Sequence, residues 1–163
     1  MGINLPGELA GLLNDMGYTW PEVDEEKLFQ LGGHWMSFAS TVDGIRTDAV
    51  AAADRASAGN RGDAMDAFSA KWNDQDSAAG VLGDGVTAAN VVGACLYVCA
   101  AVVLALKINV IVQLITLLIE IYQAIATAAP TFGASLLEIP AFKKLTDIAI
   151  NLIVTIAMEA ILG

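Results

Sequence analysis

The feature that most limits the fold is a regular apolar repeat in the first half of the chain. Nine residues recur at alternating spacings of three and four, and they are called the heptad seam below. Its members are Leu28, Leu31, Trp35, Phe38, Val42, Ile45, Ala49, Ala52 and Ala56. This spacing places side chains on one face of an α-helix, so it predicts one long amphipathic helix over about residues 23–58. The seam begins with bulky residues and ends in alanines, so a partner helix is expected to approach most closely at the alanine end.

Shorter patterns flank this helix. Either Thr19 or Asp24 is expected to cap its start, because both precede a run of acidic residues suited to a first helical turn. After a turn over residues 58–63, Asp63 is expected to cap a short helix that carries Phe68 and Trp72 on one face. Residues 1–20 are predicted to be loop-like with one short apolar turn, and the glycines of residues 80–85 are predicted to form a loose connection.

The second half of the chain differs sharply in charge. Residues 1–84 hold 14 acidic and 5 basic residues, whereas residues 85–163 hold 4 and 3. No charge occurs from Gly85 to Leu106, so a second long helix is predicted over about residues 86–128, apolar on every side and therefore buried in protein or in lipid. A break is expected near Lys107, a linker over residues 131–140, and a last helix over about residues 141–162.

These patterns predict an all-α protein, a long antiparallel helical hairpin or bundle of about four to five helices with a strongly apolar C-terminal half. Residues 1–84 form an acidic amphipathic hairpin segment, and the apolar helices of residues 85–163 are expected to pack on it in one composite domain. A hydrophobic content of 56% excludes a disordered chain, and a net charge of −10 argues against binding to nucleic acid.

The sequence offers no pattern typical of catalysis. His34 is the single histidine and has no nucleophile or metal-ligand partner at a suggestive spacing. Cys95 and Cys99 lie four residues apart in an apolar run and are interpreted as packing residues, because an intact helix holds them too far apart for a disulfide. We therefore predict no catalytic residue, no metal site, no cofactor and no enzymatic activity.

Two features of the apolar half leave alternatives open. Ala89 and Gly93 form a small-x-x-x-small pair, which marks close helix packing in membranes but also arises by chance in alanine-rich sequences. A polar series follows, made up of Lys107, Asn109, Gln113 and Glu120. In a membrane these residues would line a pore or pair across helices, and in a soluble bundle they would be ordinary, partly exposed positions.

A resemblance rests on Trp20–Leu28, on Trp35 and on Ala67–Trp72. These segments resemble the N-terminal helical domain of actinobacterial polymorphic toxins, a relative of the Trp-X-Gly helical hairpins of type VII secretion. The chain is similar to the N-terminal region of the mycobacterial outer-membrane channel protein that carries a NAD-degrading toxin. The resemblance covers about residues 5–90 well. Asn73 and Asp74 follow Trp72, so the literal Trp-x-Gly motif is absent.

The resemblance implies a set of hairpin-core or recognition residues with no catalytic role. These are Trp20, Pro21, Leu28, Trp35, Phe38, Phe68 and Trp72. It also implies a non-catalytic secretion, trafficking and helix-packing module of a secreted bacterial toxin, whose partner is the secretion machinery, another helical protein or a second copy. The alternative is a membrane-inserting or channel-forming module, with helices near residues 86–106, 108–129 and 141–162, or a self-assembling oligomer.

The start of the chain shows neither a basic segment nor an apolar run of signal-peptide length. We therefore expect a protein that is cytoplasmic before export and is then secreted, or held in the cell envelope, by a non-classical route.

Overall fold

The computed structural model describes residues 2–162, and every regular element in that range is helical. The α-helices are α1 (Gly7–Asp15), α2 (Glu25–Gly59), α3 (Asp63–Trp72), α4 (Ala78–Ala126) and α5 (Ile139–Leu162). A 3-10 helix, Ala134–Glu138, leads directly into α5. The prediction of an all-α fold with about four to five helices is therefore confirmed for the described residues, which contain no strand.

The helices differ from the sequence prediction at three places. A nine-residue helix, α1, replaces the predicted loop. Helix α4 begins at Ala78, so the predicted loose connection over residues 80–85 is wrong, and α4 continues without a break through Lys107. At Gly83 the absence of a side chain leaves room for a neighbouring group close to α4. A Cβ added there would lie 3.3 Å from Nε of Arg46.

The two predicted caps have different outcomes. Asp24, not Thr19, caps α2, since its Oδ1 accepts a hydrogen bond from the backbone N–H of Lys27 at 3.1 Å. Asp63 is not a cap, because α3 is preceded by Gly62 at φ +115° and no side chain caps it. Asp63 instead lies in the first turn, where its negative charge complements the helix dipole.

The chain divides into two compact units, which are described separately. The central unit comprises Leu28–Tyr97, and the terminal unit combines the residues up to Lys27 with those from Val98 onwards. These boundaries lie within α2 and α4, so both long helices contribute to both units. The composition changes at a different place, between residues 84 and 85.

The core of the terminal unit lies where α1, α4 and α5 meet. Its buried cluster consists of Leu9, Leu13, Val110, Leu114 and Ile150. Leu13 is 2% exposed and Leu114 is fully buried, so α1 covers an apolar face of α4 that would otherwise meet solvent. This burial explains why a helix of only nine residues is stable here, although isolated helices of that length are marginal.

Candidate partner-binding surface

Within the central unit, α2 packs on α4 through a stripe that is not the heptad seam. This inner stripe again follows spacings built from three and four, and it contains Phe29, Gly32, Met36, Ala39, Arg46 and Ala53. Phe29 contacts the ring of Tyr97, and Nε of Arg46 donates a hydrogen bond to the carbonyl of Ala79 at 3.2 Å. Because later residues of α2 meet earlier residues of α4, the two segments are antiparallel, as the sequence predicts.

Glycines allow the two backbones of the central unit to meet. A Cβ added at Gly93 would lie 3.0 Å from the carbonyl oxygen of Gly32 and 2.9 Å from Cγ of Met36. Ala89, one turn earlier on α4, is 3% exposed. The small pair Ala89 and Gly93 therefore provides a close helix–helix approach within this chain.

The bulky half of the heptad seam lies on the outside of the central unit. Leu31, Trp35, Phe38 and Ile45 are 45%, 37%, 55% and 57% exposed. The rings of Trp35 and Phe38 meet edge to face, with 6.0 Å between centroids. Together with Leu31 and the exposed His34 they line a shallow depression of about 260 Å³. Within the described residues of the central unit, this row of large apolar side chains stays substantially exposed.

The polar residues along one edge of the seam also repeat at a helical period. They are His34, Thr41, Asp48 and Arg55, each seven residues from the next. All four are exposed, and both signs of charge occur. In paired helices such flanking positions select the partner and its orientation through charge. The surface therefore combines an apolar stripe with a polar edge, which is the arrangement found where two helices pack along 3,4 repeats.

The remaining predicted site residues are distributed over both units. In the central unit, Phe68 and Trp72 stack on α3 with 5.8 Å between ring centroids, and Phe68 is 38% exposed. Leu28 is half-buried at the start of the seam. Trp20 and Pro21 belong to the terminal unit, where both are half-buried. The structure thus gathers Leu28, Trp35 and Phe38 on one stripe of α2 and places the other four elsewhere.

A buried ion pair in the terminal unit was not foreseen from the sequence. Nζ of Lys107 donates to Oε2 of Glu25 at 2.7 Å and to the carbonyl of Val23 at 2.6 Å. Lys107 is 2% exposed and Glu25 is 5% exposed. Lys107 also lies 5.7 Å from the ring centroid of Trp20. Lys107 therefore pairs across two helices, α4 and α2, which is one of the arrangements expected for this polar series in a membrane. The partly exposed position expected for it in a soluble bundle is wrong.

Opposing effects act on the carboxyl group of Glu25. Burial by itself raises the pKa of Glu25, but the hydrogen bond from Lys107 and another from the backbone N–H of Ile3 outweigh it. The pKa of Glu25 consequently falls to about 2. The sequence contained one usable signal for this pair, a lone lysine inside a long apolar helix, because a buried charge requires a partner.

A second polar contact ties the segment before α2 to α5 in the terminal unit. The hydroxyl of Tyr18 donates to Oδ1 of Asp147 at 2.7 Å. Burial, followed by this hydrogen bond to a carboxylate, raises the pKa of Tyr18 to about 12. Among the described residues, no group of three or more histidine, cysteine or acidic side chains has the geometry to hold a metal ion.

Within residues 2–162, two helical stretches are long and apolar enough to cross a membrane, judged by length and composition. They are Ala78–Ala126, with a mean hydropathy of 2.4 in its most apolar window, and Ala134–Leu162, with 1.9. Only 22% and 11% of these windows are buried within the chain. The core helix of a soluble protein would be mostly buried, so these two stretches present far more apolar surface than the fold itself covers.

A family model described as "WXG100 like domain" matches residues 4–148, which is most of the chain. No curated protein and no solved structure matches the chain.

Proposed function

Because the chain belongs to the WXG100-like domain family, we propose that it is a type VII secretion module that binds a partner helix along the heptad seam. Proteins of the WXG100 family are helical, work with the secretion machinery and typically pair as helical hairpins with partner proteins. They are generally not enzymes. The family relation therefore supports the predicted class of function, a secretion-associated helical protein.

The exposed heptad seam is the observation that carries this proposal. Fully burying a large apolar side chain contributes about 1.5–3 kcal/mol, and here four such side chains of one helix are more than a third exposed. A tryptophan at the centre of an interface commonly contributes a large share of the binding energy. A helix laid along the seam would cover Leu31, Trp35, Phe38 and Ile45 in register.

The partner is expected to carry a matching 3,4 repeat of its own. Near Ala49, Ala52 and Ala56 the seam is shallow, so the partner helix can approach closely or present larger side chains there. Near Trp35 the seam is bulky, so the partner is expected to present smaller residues. This size gradient fixes one direction and one register for the pair. A partner chain of this pattern, or a second copy, satisfies the proposal.

The more specific assignment is an N-terminal, non-catalytic module of an actinobacterial polymorphic toxin that is exported by a non-classical route. It is supported by the resemblance of Trp20–Leu28 and Ala67–Trp72 to such domains. In that role the module would be secreted or held at the cell envelope, and a toxin domain would be the exported cargo. Fusing an enzymatic reporter after residue 163 and measuring its export, with and without the secretion system, tests this assignment. Export that does not depend on the system would contradict it.

A pairing experiment tests the docking surface. The chain is co-expressed with a candidate helical-hairpin partner, and the mass of the purified complex is measured by light scattering. We expect the double variant Trp35→Ala with Phe38→Ala to weaken pairing at least tenfold, because it removes two bulky side chains from the seam. Leu152→Ala is the matched control, since Leu152 is 59% exposed on α5. Pairing that is unchanged in the double variant, or lost equally in the control, would exclude the seam as the docking surface.

A second candidate function is a membrane-inserting or channel-forming module. One observation favours it: the apolar windows of α4 and α5 are only 22% and 11% buried. Vesicles of phosphatidylcholine loaded with a fluorescent dye test this candidate. Binding of the protein to the vesicles supports membrane association, and dye release supports a channel. Failure to bind would leave the apolar surface to a protein partner.

A further inference from the structure

The connection between α4 and α5 forms the tip of a helical hairpin in the terminal unit. The two helices are antiparallel, because Ser135, just before α5, donates to the carbonyl of Ala124 near the end of α4, whereas residues 153–160 of α5 line a depression with the earlier residues 102–109 of α4. No residue from Ile121 to Leu137 is charged. The apolar tip is defined here as Phe132, Leu136 and Leu137.

The side chains of the apolar tip are unusually exposed. Phe132 is 100% exposed, Leu137 is 80% exposed and Leu136 is 41% exposed. Phe132 has a φ of +51°, in the left-handed region that bulky residues avoid. The ring therefore gains no burial within the chain, although its backbone is strained. Glycine or asparagine would suit this position better if only the fold mattered. A strained, fully exposed aromatic residue points to a role outside the fold.

The backbone near the tip is satisfied by nearby side chains. Oγ1 of Thr127 donates to the carbonyl of Gln123 at 2.8 Å, and Oγ of Ser135 donates to the carbonyl of Ala124 at 2.7 Å. Oγ1 of Thr131 donates to the carbonyl of Thr127 at 2.6 Å. Carbonyls at a helix end otherwise need water, and hydrocarbon offers none. The carbonyls of Gln123 and Thr127 also accept the backbone N–H groups of Thr127 and Thr131, so the hydroxyl of Ser135 on the carbonyl of Ala124 is the one that most lowers the cost of moving the tip into lipid.

We propose that the apolar tip inserts into the outer hydrocarbon layer of a lipid bilayer. This inference rests on the membrane candidate above and states which part of the chain reaches the lipid first. Lipid fits the tip better than a protein partner does. Even if each of its three side chains buried roughly 200 Å² of surface, as an aromatic residue does, the tip would bury about 600 Å² against a partner. A stable protein interface buries roughly 800 Å² on each partner.

The charged residues beside the tip limit its depth. Glu120 precedes the uncharged stretch and Glu138 follows it, and carboxylates are costly in hydrocarbon. The helical residues from Ile121 to Ala126 rise about 9 Å at 1.5 Å per residue. That length agrees with the roughly 5–10 Å to which interfacial elements enter a bilayer. The tip itself therefore enters only the outer part of the bilayer, as the first part of the chain to reach the lipid.

Site-directed fluorescence tests the proposal on the full chain. In a background of Cys95→Ala and Cys99→Ala, an environment-sensitive dye is attached after Phe132→Cys or, as a control at the opposite end of α5, after Leu162→Cys. Phosphatidylcholine vesicles with and without spin-labelled lipid are then added. We expect a blue shift and quenching for the dye at position 132 and neither for the dye at position 162. If the protein binds vesicles while the dye at position 132 is not quenched, the tip proposal fails and the membrane candidate stands. If the protein does not bind at all, both fail.

A variant that is expected to fold as well as the unmodified chain completes the test. Phe132→Gly removes the ring and relieves the strained φ, so the thermal unfolding temperature is expected to stay constant or rise. Its partition onto the same vesicles is expected to fall about tenfold or more. Leu162→Ala is the matched control, because Leu162 is 78% exposed and lies away from the tip. Vesicle binding of Phe132→Gly equal to that of the unmodified chain would overturn the proposal.

Discussion

Replacing Lys107 by methionine is expected to destabilise the protein by about 3–5 kcal/mol. Methionine has a similar length and suits an apolar helix, so packing around α4 changes little. The loss comes from Glu25, whose carboxylate stays buried without its cation. Removing one partner of a buried ion pair typically costs this much, because the remaining charge is uncompensated.

The contacts of Lys107 support that magnitude. The substitution removes its hydrogen bond to Glu25 at 2.7 Å and its hydrogen bond to the carbonyl of Val23 at 2.6 Å. Hydrogen bonds that involve a charged group contribute about 1.5–3 kcal/mol each. The contact with the ring of Trp20 is lost as well. The backbone N–H of Ile3 still donates to Glu25, so the carboxylate keeps one partner and the loss is not larger.

Denaturant unfolding of wild type, Lys107→Met and the double variant Glu25→Leu with Lys107→Met measures the effect. The double variant is expected to recover most of the loss, because an apolar pair of similar volume often replaces a buried ion pair without cost. In wild type the pKa of Glu25 is lowered from 4.5 to about 2. Its contribution to stability is therefore present above pH 4.5 and is lost as the pH falls towards 2. The gap between wild type and Lys107→Met should narrow over that range.

Two results would refute this reasoning. The first is a Lys107→Met variant that is as stable as wild type at pH 7, which would mean that the pair contributes no net stability. The second is a double variant no more stable than Lys107→Met. That outcome would assign the loss to the packing of Lys107 and not to the carboxylate of Glu25.

Three further predictions concern packing and hydrogen bonding. Gly93→Ala is expected to destabilise the protein by about 1–3 kcal/mol in thermal unfolding, because its Cβ would lie 2.9 Å from Cγ of Met36. Gly85→Ala is the matched control, since a Cβ there meets nothing within 4 Å and is expected to stabilise the helix by up to about 1 kcal/mol. Equal changes in stability for the two variants would contradict the close approach of α2 and α4 at Gly93. Leu13→Ala is expected to cost about 2–5 kcal/mol in denaturant unfolding, because Leu13 is 2% exposed, and a loss below about 1 kcal/mol would argue against its core position. Absorbance titration is expected to show Tyr18 ionising near pH 12. Because its pKa is raised from 10, the contribution of Tyr18 to stability is present below pH 10 and is lost as the pH rises towards 12. Normal ionisation near pH 10 would argue against the hydrogen bond to Asp147.

The sequence by itself determined the helical class and most of the helix positions. The heptad seam predicted α2 almost to its ends, since a 3,4 spacing without proline specifies a helix regardless of what packs on it. The run from Gly85 to Leu106 located α4, and the last apolar repeat located α5. Helix α1 was missed, because nine residues do not form a stable helix alone and Leu9 and Leu13 need the core to hold them.

The tertiary structure alone decided which face of each helix is used. Helix α2 carries two interleaved 3,4 stripes, and hydrophobicity favoured the bulky one. The chain instead packs on the stripe of Gly32 and Ala39, because small residues let the backbone of α2 reach Gly93. Likewise, the partner of Lys107 is Glu25, 82 residues away in the sequence, and local sequence patterns cannot predict a contact over that separation. Periodicity specifies helices, whereas close packing and the burial of charge select the surfaces that remain for a partner or a membrane.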